Sequence, residues 1–176
     1  MKKKIVLLGM MGSGKTTVGK TLSKFLKLKM VDTDKIIEKK CGIKIKRIFE
    51  KYGEKYFRKK EEVIILKILS SNKPCVIALG GGAFLNKKLQ KIILKKTISI
   101  WLDASLKLIY NRCRKSNTRP LLNNNNVKDL KKEINEILKL RKPVYSKAQF
   151  KITSNKTPKM LSKEILKCLK NVGFIE

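Results

Sequence analysis

Histidine is absent from all 176 residues. That excludes a histidine general base, a Ser-His-Asp triad and histidine metal ligation, so any proton transfer falls to carboxylates, lysine or water. Cys41, Cys75, Cys113 and Cys168 are scattered with no Cys-x-x-Cys pair, which leaves zinc and redox-motif readings without support. No apolar run approaches the roughly 18 residues of a membrane helix. Met-Lys-Lys-Lys precedes an apolar run too short for a signal-peptide core, so a soluble cytoplasmic protein with no membrane partner is expected. Arginine is scarce as well, at six of 44 basic residues. Against those 44 stand 13 acids, a formal charge of +31. The lysines are spread over the whole chain beside abundant Asn and Ile, three residues that share AT-rich codons. No aromatic-interleaved basic strand or recognition helix accompanies them, so no specific nucleic-acid partner is expected. What remains is a nonspecific, salt-sensitive attraction to polyanions.

What is present starts with Gly9-Met10-Met11-Gly12-Ser13-Gly14-Lys15-Thr16, which fits Gly, four residues, Gly-Lys-Ser/Thr, the pattern of a phosphate-binding loop. Glycines let such a loop wrap tightly and aim successive N–H groups inward. Lys15 supplies a point charge for the outer phosphates, and the Thr16 hydroxyl suits Mg²⁺. The flanks agree. Ile5 to Leu8 form an apolar strand before the loop, and Val18, Leu22, Phe25 and Leu26 fall on one helical face after it. A dinucleotide fingerprint fits poorly, because its third glycine position holds Thr17.

Apolar segments alternate with helical patterns along the chain, which predicts an α/β domain with helices over a parallel sheet. Strands are expected at 4–8, 29–32, 75–79, 97–102 and 149–153. Helices are expected at 15–27, 34–41, 45–52, 54–70, 104–115, 127–141 and 158–171. Thr157 reads as an N-cap with Pro158 at the first helical position. The run Asn123 to Asn126 is low-complexity and reads as a mobile loop. One domain spanning 1–176 is expected, with no internal repeat or linker.

Further motifs follow in order: Asp32-Thr33-Asp34; Ile48-Phe49-Glu50-Lys51-Tyr52-Gly53-Glu54; Phe57-Arg58-Lys59-Lys60-Glu61; Leu79-Gly80-Gly81-Gly82-Ala83; Arg119-Pro120-Leu121-Leu122; and Leu140-Arg141-Lys142-Pro143-Val144-Tyr145. In this order and spacing the chain resembles the shikimate kinase family from about residue 3 to 172. The resemblance implies a three-layer phosphate-loop NTPase fold of the nucleoside monophosphate kinase type, with a central five-stranded parallel sheet flanked by helices. It implies ATP and shikimate as substrates, Mg²⁺ as cofactor, a monomer, and phosphorylation of the 3-hydroxyl of shikimate on the route to chorismate and the aromatic amino acids. It marks 33–61 as the substrate-binding segment and 112–126 as a lid.

The resemblance also distributes roles. Gly12, Ser13, Gly14, Lys15, Thr16, Thr17, Arg112, Arg119 and Lys156 are expected on ATP, with Arg114 a competing match for Arg112. Asp34, Arg58, Gly80, Gly81, Gly82 and Arg141 are expected on shikimate, and Thr16 and Asp32 on the metal. Lys15, Asp34 and Arg119 are the expected catalytic groups. Arg58 and Arg141 suit a carboxylate, since guanidinium forks match it in two-bond geometry. Asp34 suits a substrate hydroxyl, though an N-cap of the next helix is the alternative. Gly80 reads equally as a structural turn. Asp103 ends an apolar strand, as a metal-binding acid would, but reads here as an N-cap. Lys147 departs from the family, which commonly has an acid there. The competing reading is another small-metabolite or nucleotide kinase of the same fold, such as a gluconate or nucleoside monophosphate kinase.

Overall fold

The computed structural model describes residues 4–114 and 127–175. Five parallel strands, β1 (Lys4–Leu8), β2 (Lys29–Asp32), β3 (Cys75–Ala78), β4 (Ile98–Asp103) and β5 (Phe150–Thr153), form one sheet in the order β2-β3-β1-β4-β5. Side chains alternate across a strand, so β1 feeds both faces. Ile5 and Leu7 pack with Val18 and Leu22 of α1 (Lys15–Phe25) and Leu161, Ile165 and Leu169 of α7 (Pro158–Asn171). Val6 and Leu8 pack on the opposite side with Ile65 and Leu69 of α3 (Ile45–Ser70), Ile93 of α4 (Lys87–Lys96), Ile109 of α5 (Leu106–Cys113) and Ile134 and Leu138 of α6 (Val127–Tyr145). The result is three layers around a sheet buried on both faces, where strands read as continuous apolar runs. A smaller cluster of Ile37, Ile48, Phe57 and Ile64 joins α2 (Thr33–Cys41) to α3.

All five expected strands are present. The two helices expected at 45–52 and 54–70 form one span broken at Gly53, whose φ of 74° and ψ of 170° are not helical. Thr157 caps α7 by accepting the Met160 N–H, with Pro158 in its first turn. Two capping readings are corrected. Asp32, not Asp34, caps α2 by accepting the Lys35 N–H. Ser105 caps α5, while Asp103 pairs with Lys151 at 3.1 Å. Helix α4 is an element that the sequence reading passes over. Its signals are Asn86, which accepts the Lys88 and Leu89 N–H groups, and an apolar stripe of Leu89 and Ile93. No described helix is long and apolar enough to cross a membrane.

The order places β1 between β3 and β4, so the connection from β3 to β4 crosses the strand that carries the loop. Ligands in open parallel sheets bind outside the carboxyl ends of strands at such a switch point. The loop after β1, Asp32 at the end of β2 and the triple glycine after β3 all emerge there.

Candidate active site

The loop between β1 and α1 takes its shape from its glycines. Gly9 has a φ of 138°, and a Cβ there would lie 2.6 Å from the Leu102 carbonyl oxygen. Gly12 and Gly14 have φ of 74° and 96°, so the loop turns through backbone angles closed to most residues. Lys15 folds back and donates to the Gly9 and Met10 carbonyls at 2.8 Å each. Thr16 begins α1 and donates its hydroxyl to Asp32 at 2.7 Å. Arg112, from the last turn of α5, donates to the Gly12 carbonyl at 2.7 Å. Arg114, the competing match, lies over the Tyr110 ring. Ser154, at the end of β5, donates to the Ser13 carbonyl at 2.7 Å and ties the loop to the strand edge.

A cavity of about 630 Å³ opens from this loop. Of the expected residues, Gly12, Gly14, Lys15, Thr16, Thr17, Asp32, Asp34, Arg58, Gly81, Gly82, Arg112, Arg141 and Lys156 line it. Ser13 and Gly80 are not among the lining residues, and both are buried. Lys156 reaches the cavity rim but is ion-paired with Glu164. Arg119 and residues 115–126 of the expected lid, with the asparagine run, lie outside the described residues.

The triple glycine has a steric reason. None of the three has a positive φ, so freedom of rotation is not what demands glycine. Each Cα abuts a charged side chain. A Cβ on Gly80 would lie 2.5 Å from Glu61 Oε1 and 2.7 Å from Asp34 Oδ1. One on Gly81 would lie 3.3 Å from Arg141 Nη1, and one on Gly82 2.5 Å from Arg58 Nη2. The Gly80 N–H is taken by Thr33 Oγ1 at 2.9 Å, so close approach of Gly80's own N–H to a substrate is not its use. The three glycines form a bare plate on which two acids and two guanidiniums rest.

Glu61 is the carboxylate that the sequence places in a motif without giving it a role. It follows Arg58 by three residues, so both face the same side of α3. Arg58 Nη1 donates to it at 2.6 Å, and Glu54 takes the other edge of that guanidinium at 3.0 and 3.1 Å. Glu61 is 2 % exposed, and its Oε1 accepts no hydrogen bond from the described residues. Burial pushes the Glu61 carboxyl up from its usual value despite Arg58. Burial likewise raises Asp34, opposed first by Lys15 and reinforced by Asp32. Arg141 is buried, with Nη1 3.9 Å from Met10 Sδ. Phe49 and Phe57, with ring centroids 4.8 Å apart, form an apolar wall.

For a metal, the described residues hold no group of three or more His, Cys, Asp or Glu side chains. The Thr16–Asp32 pair fits an ion that keeps several waters and takes its remaining ligands from phosphate oxygens, as Mg²⁺ does.

A phosphate loop opening into a pocket of fixed acids and guanidiniums, at the switch point of a five-stranded parallel sheet, defines a phosphate-loop kinase of the small-molecule kind. The sequence model of the shikimate kinase family matches residues 11–170, and the chain belongs to that family. The shikimate kinase of Thermodesulfovibrio yellowstonii is 42% identical over 166 residues, 94% of each chain. The solved shikimate kinase from Acinetobacter baumannii in complex with shikimate superposes with a TM-score of 0.91 at 33% identity, covering 96% of this chain and 93% of that one. A gluconokinase from Sinorhizobium meliloti reaches a TM-score of 0.60 at 16% identity over 98% and 97% of the two chains, a likeness of fold alone.

Proposed function

We infer that the protein transfers the γ-phosphoryl group of ATP to the 3-hydroxyl of shikimate, giving shikimate 3-phosphate for chorismate and aromatic amino acid synthesis. The observation that carries this reading is the plate of Gly80, Gly81 and Gly82, against which Asp34, Glu61, Arg141 and Arg58 converge beside the phosphate loop. A compact polyol acid needs two fixed cations for its carboxylate and an acceptor for its hydroxyls. Arg58 and Arg141 supply the first and Asp34 the second. Gluconate and nucleoside monophosphates are also anions with hydroxyls, and what favours shikimate over them is membership of the shikimate kinase family over residues 11–170.

In this reading Lys15 releases the Gly9 and Met10 carbonyls and turns to the outer phosphates, while the loop amides hold the rest. Thr16, with Asp32 behind it, would hold Mg²⁺, which neutralises charge on the phosphates. Arg112 borders the nucleotide from α5, and Thr17, Ser154 and Lys156 border it from α1 and the β5 edge. Asp34 orients the 3-hydroxyl and accepts its proton. Its burial-raised pKa makes it a stronger base than an exposed aspartate. Transfer is direct and in line, since phosphoryl transfer needs positioning and charge neutralisation more than covalent help. One kinase domain works as a cytoplasmic monomer, with 33–61 as the acceptor segment and 112–126 as the lid that brings Arg119 to the phosphates. Neither nucleic acid nor membrane is a specific partner.

The test is ADP release measured with shikimate, gluconate and several nucleoside monophosphates as acceptors. Turnover with shikimate alone is expected. Preference for any other acceptor overturns the reading.

A further inference from the structure

One tie in the acceptor pocket crosses the molecule. The Gly80 and Gly82 carbonyls are satisfied within their own turn, accepting from Ala83 N and Leu85 N at 3.1 Å each. The middle carbonyl, Gly81, instead accepts from the hydroxyl of Tyr145, 64 residues away at the end of α6. Tyr145 is 1 % exposed, and its ring packs 6.1 Å from that of Trp101. It follows Arg141 by four residues, so both side chains project from one face of α6. Arg141 in turn rests on the Cα of Gly81. The phenol thus joins the helix that carries one guanidinium to the plate on which the other guanidinium and both acids lie.

We propose that the Tyr145 hydroxyl is a positioning residue for the acceptor site, holding the Gly81 carbonyl so that Arg141 and Arg58 keep the spacing a substrate carboxylate requires. The inference rests on the shikimate kinase reading. Packing and positioning are separable here, because the ring meets Trp101 while the oxygen donates to the Gly81 carbonyl and is hydrogen-bonded by Arg141. Without the hydroxyl, the Gly81 carbonyl loses its partner and the plate is free to shift against α6. A displacement there acts first on acceptor binding; it reaches the nucleotide loop only through ordinary van der Waals contact, since a Cβ on Gly81 would lie 3.5 Å from Met11 N and 3.7 Å from the Gly9 carbonyl oxygen.

Tyr145→Phe keeps the ring and removes the oxygen. Its KM for shikimate is expected to rise about tenfold, the worth of roughly one hydrogen bond, with KM for ATP changed less than about twofold. Trp101→Phe is the companion variant, loosening the same packing with no bond to the plate. It is expected to lower the melting temperature with shikimate KM unchanged. An unchanged shikimate KM in Tyr145→Phe, an equal rise in both KM values, or an equal rise in Trp101→Phe would each overturn the proposal. So would a Tyr145→Phe protein that does not fold, since the hydroxyl's role would then be stability. Shikimate turnover by the unaltered enzyme in the same assay separates failure of this inference from failure of the functional reading.

Discussion

Asp34 carries opposing demands in a single side chain. Its burial raises the proton affinity that a base needs, and the same burial disfavours the ionised form in which it must work. Because the folded protein binds this proton more tightly than the unfolded chain, ionised Asp34 lowers stability at neutral pH. That penalty is relieved as pH falls through the raised folded-state value. Asp34→Asn mimics the neutral form. It is expected to raise the melting temperature at pH 7 while lowering turnover by about 100-fold or more. A variant that loses activity and also melts lower would contradict the assignment. By the same shift, kcat/KM for shikimate in the unaltered enzyme is expected to fall on acidification at a pH above the ordinary aspartate range, with melting temperature not falling in parallel. A pH profile flat through that range would speak against Asp34 as the base.

Helix α3 reaches one cavity from both sides of a break. Its first half brings Ile45 and Phe49 to the cavity wall, and its second half brings Phe57, Arg58 and Glu61. Gly53 lies between them with φ 74° and ψ 170°, a region essentially reserved for glycine, and a Cβ there would meet nothing within 4 Å. The demand for glycine at this position is therefore one of backbone angle alone. Gly53→Ala is expected to lower unfolding free energy by about 1–3 kcal/mol and to raise KM for shikimate more than KM for ATP. Denaturant melts and steady-state kinetics check both, and unchanged values in either would show that the break is not held for the pocket.

The same helix shows how far a sequence discloses its fold. The break was readable as two helices because Gly53 separates two apolar periods. The strands were readable because a sheet buried on both faces leaves uninterrupted apolar runs such as Val76 to Leu79. Helix α4 was harder to read, since only Leu89 and Ile93 among its ten residues are buried and five of the other eight are lysines. Asn86 was the cap that marked it. At the site, Arg58, Arg141 and Asp34 stood out as fixed charges in named motifs. Glu61 did not, because its meaning lies in burial and an unshared oxygen, neither of which spacing reports. The triple glycine was readable as a motif but not as a plate, since its reason is four side chains arriving from three other elements.

For the molecule taken whole, the charge of +31 is distributed rather than gathered. Lys87, Lys91 and Lys95 are exposed on α4, and Lys159, Lys163 and Lys167 on α7, across the sheet from it. Among the described residues, positive potential therefore lies on both sides of the sheet without forming a single track for a nucleic-acid backbone. Duplex DNA is expected to bind at about 50 mM salt and to be released by about 200 mM, the mark of counterion release without specific contacts. Tight binding that persists at the higher salt would point to a recognition surface. Four of the 13 acids lie where chemistry is expected. Asp32, Asp34, Glu38 and Glu61 all line the cavity.

The most direct measurement is a crystal structure with shikimate and a nonhydrolysable ATP analogue bound together. The account expects the shikimate carboxylate between Arg58 and Arg141, its 3-hydroxyl within hydrogen-bond reach of Asp34, and Lys15 turned from the Gly9 and Met10 carbonyls to the phosphates. A ring bound elsewhere, with those two guanidiniums facing solvent or only each other's acids, would contradict it.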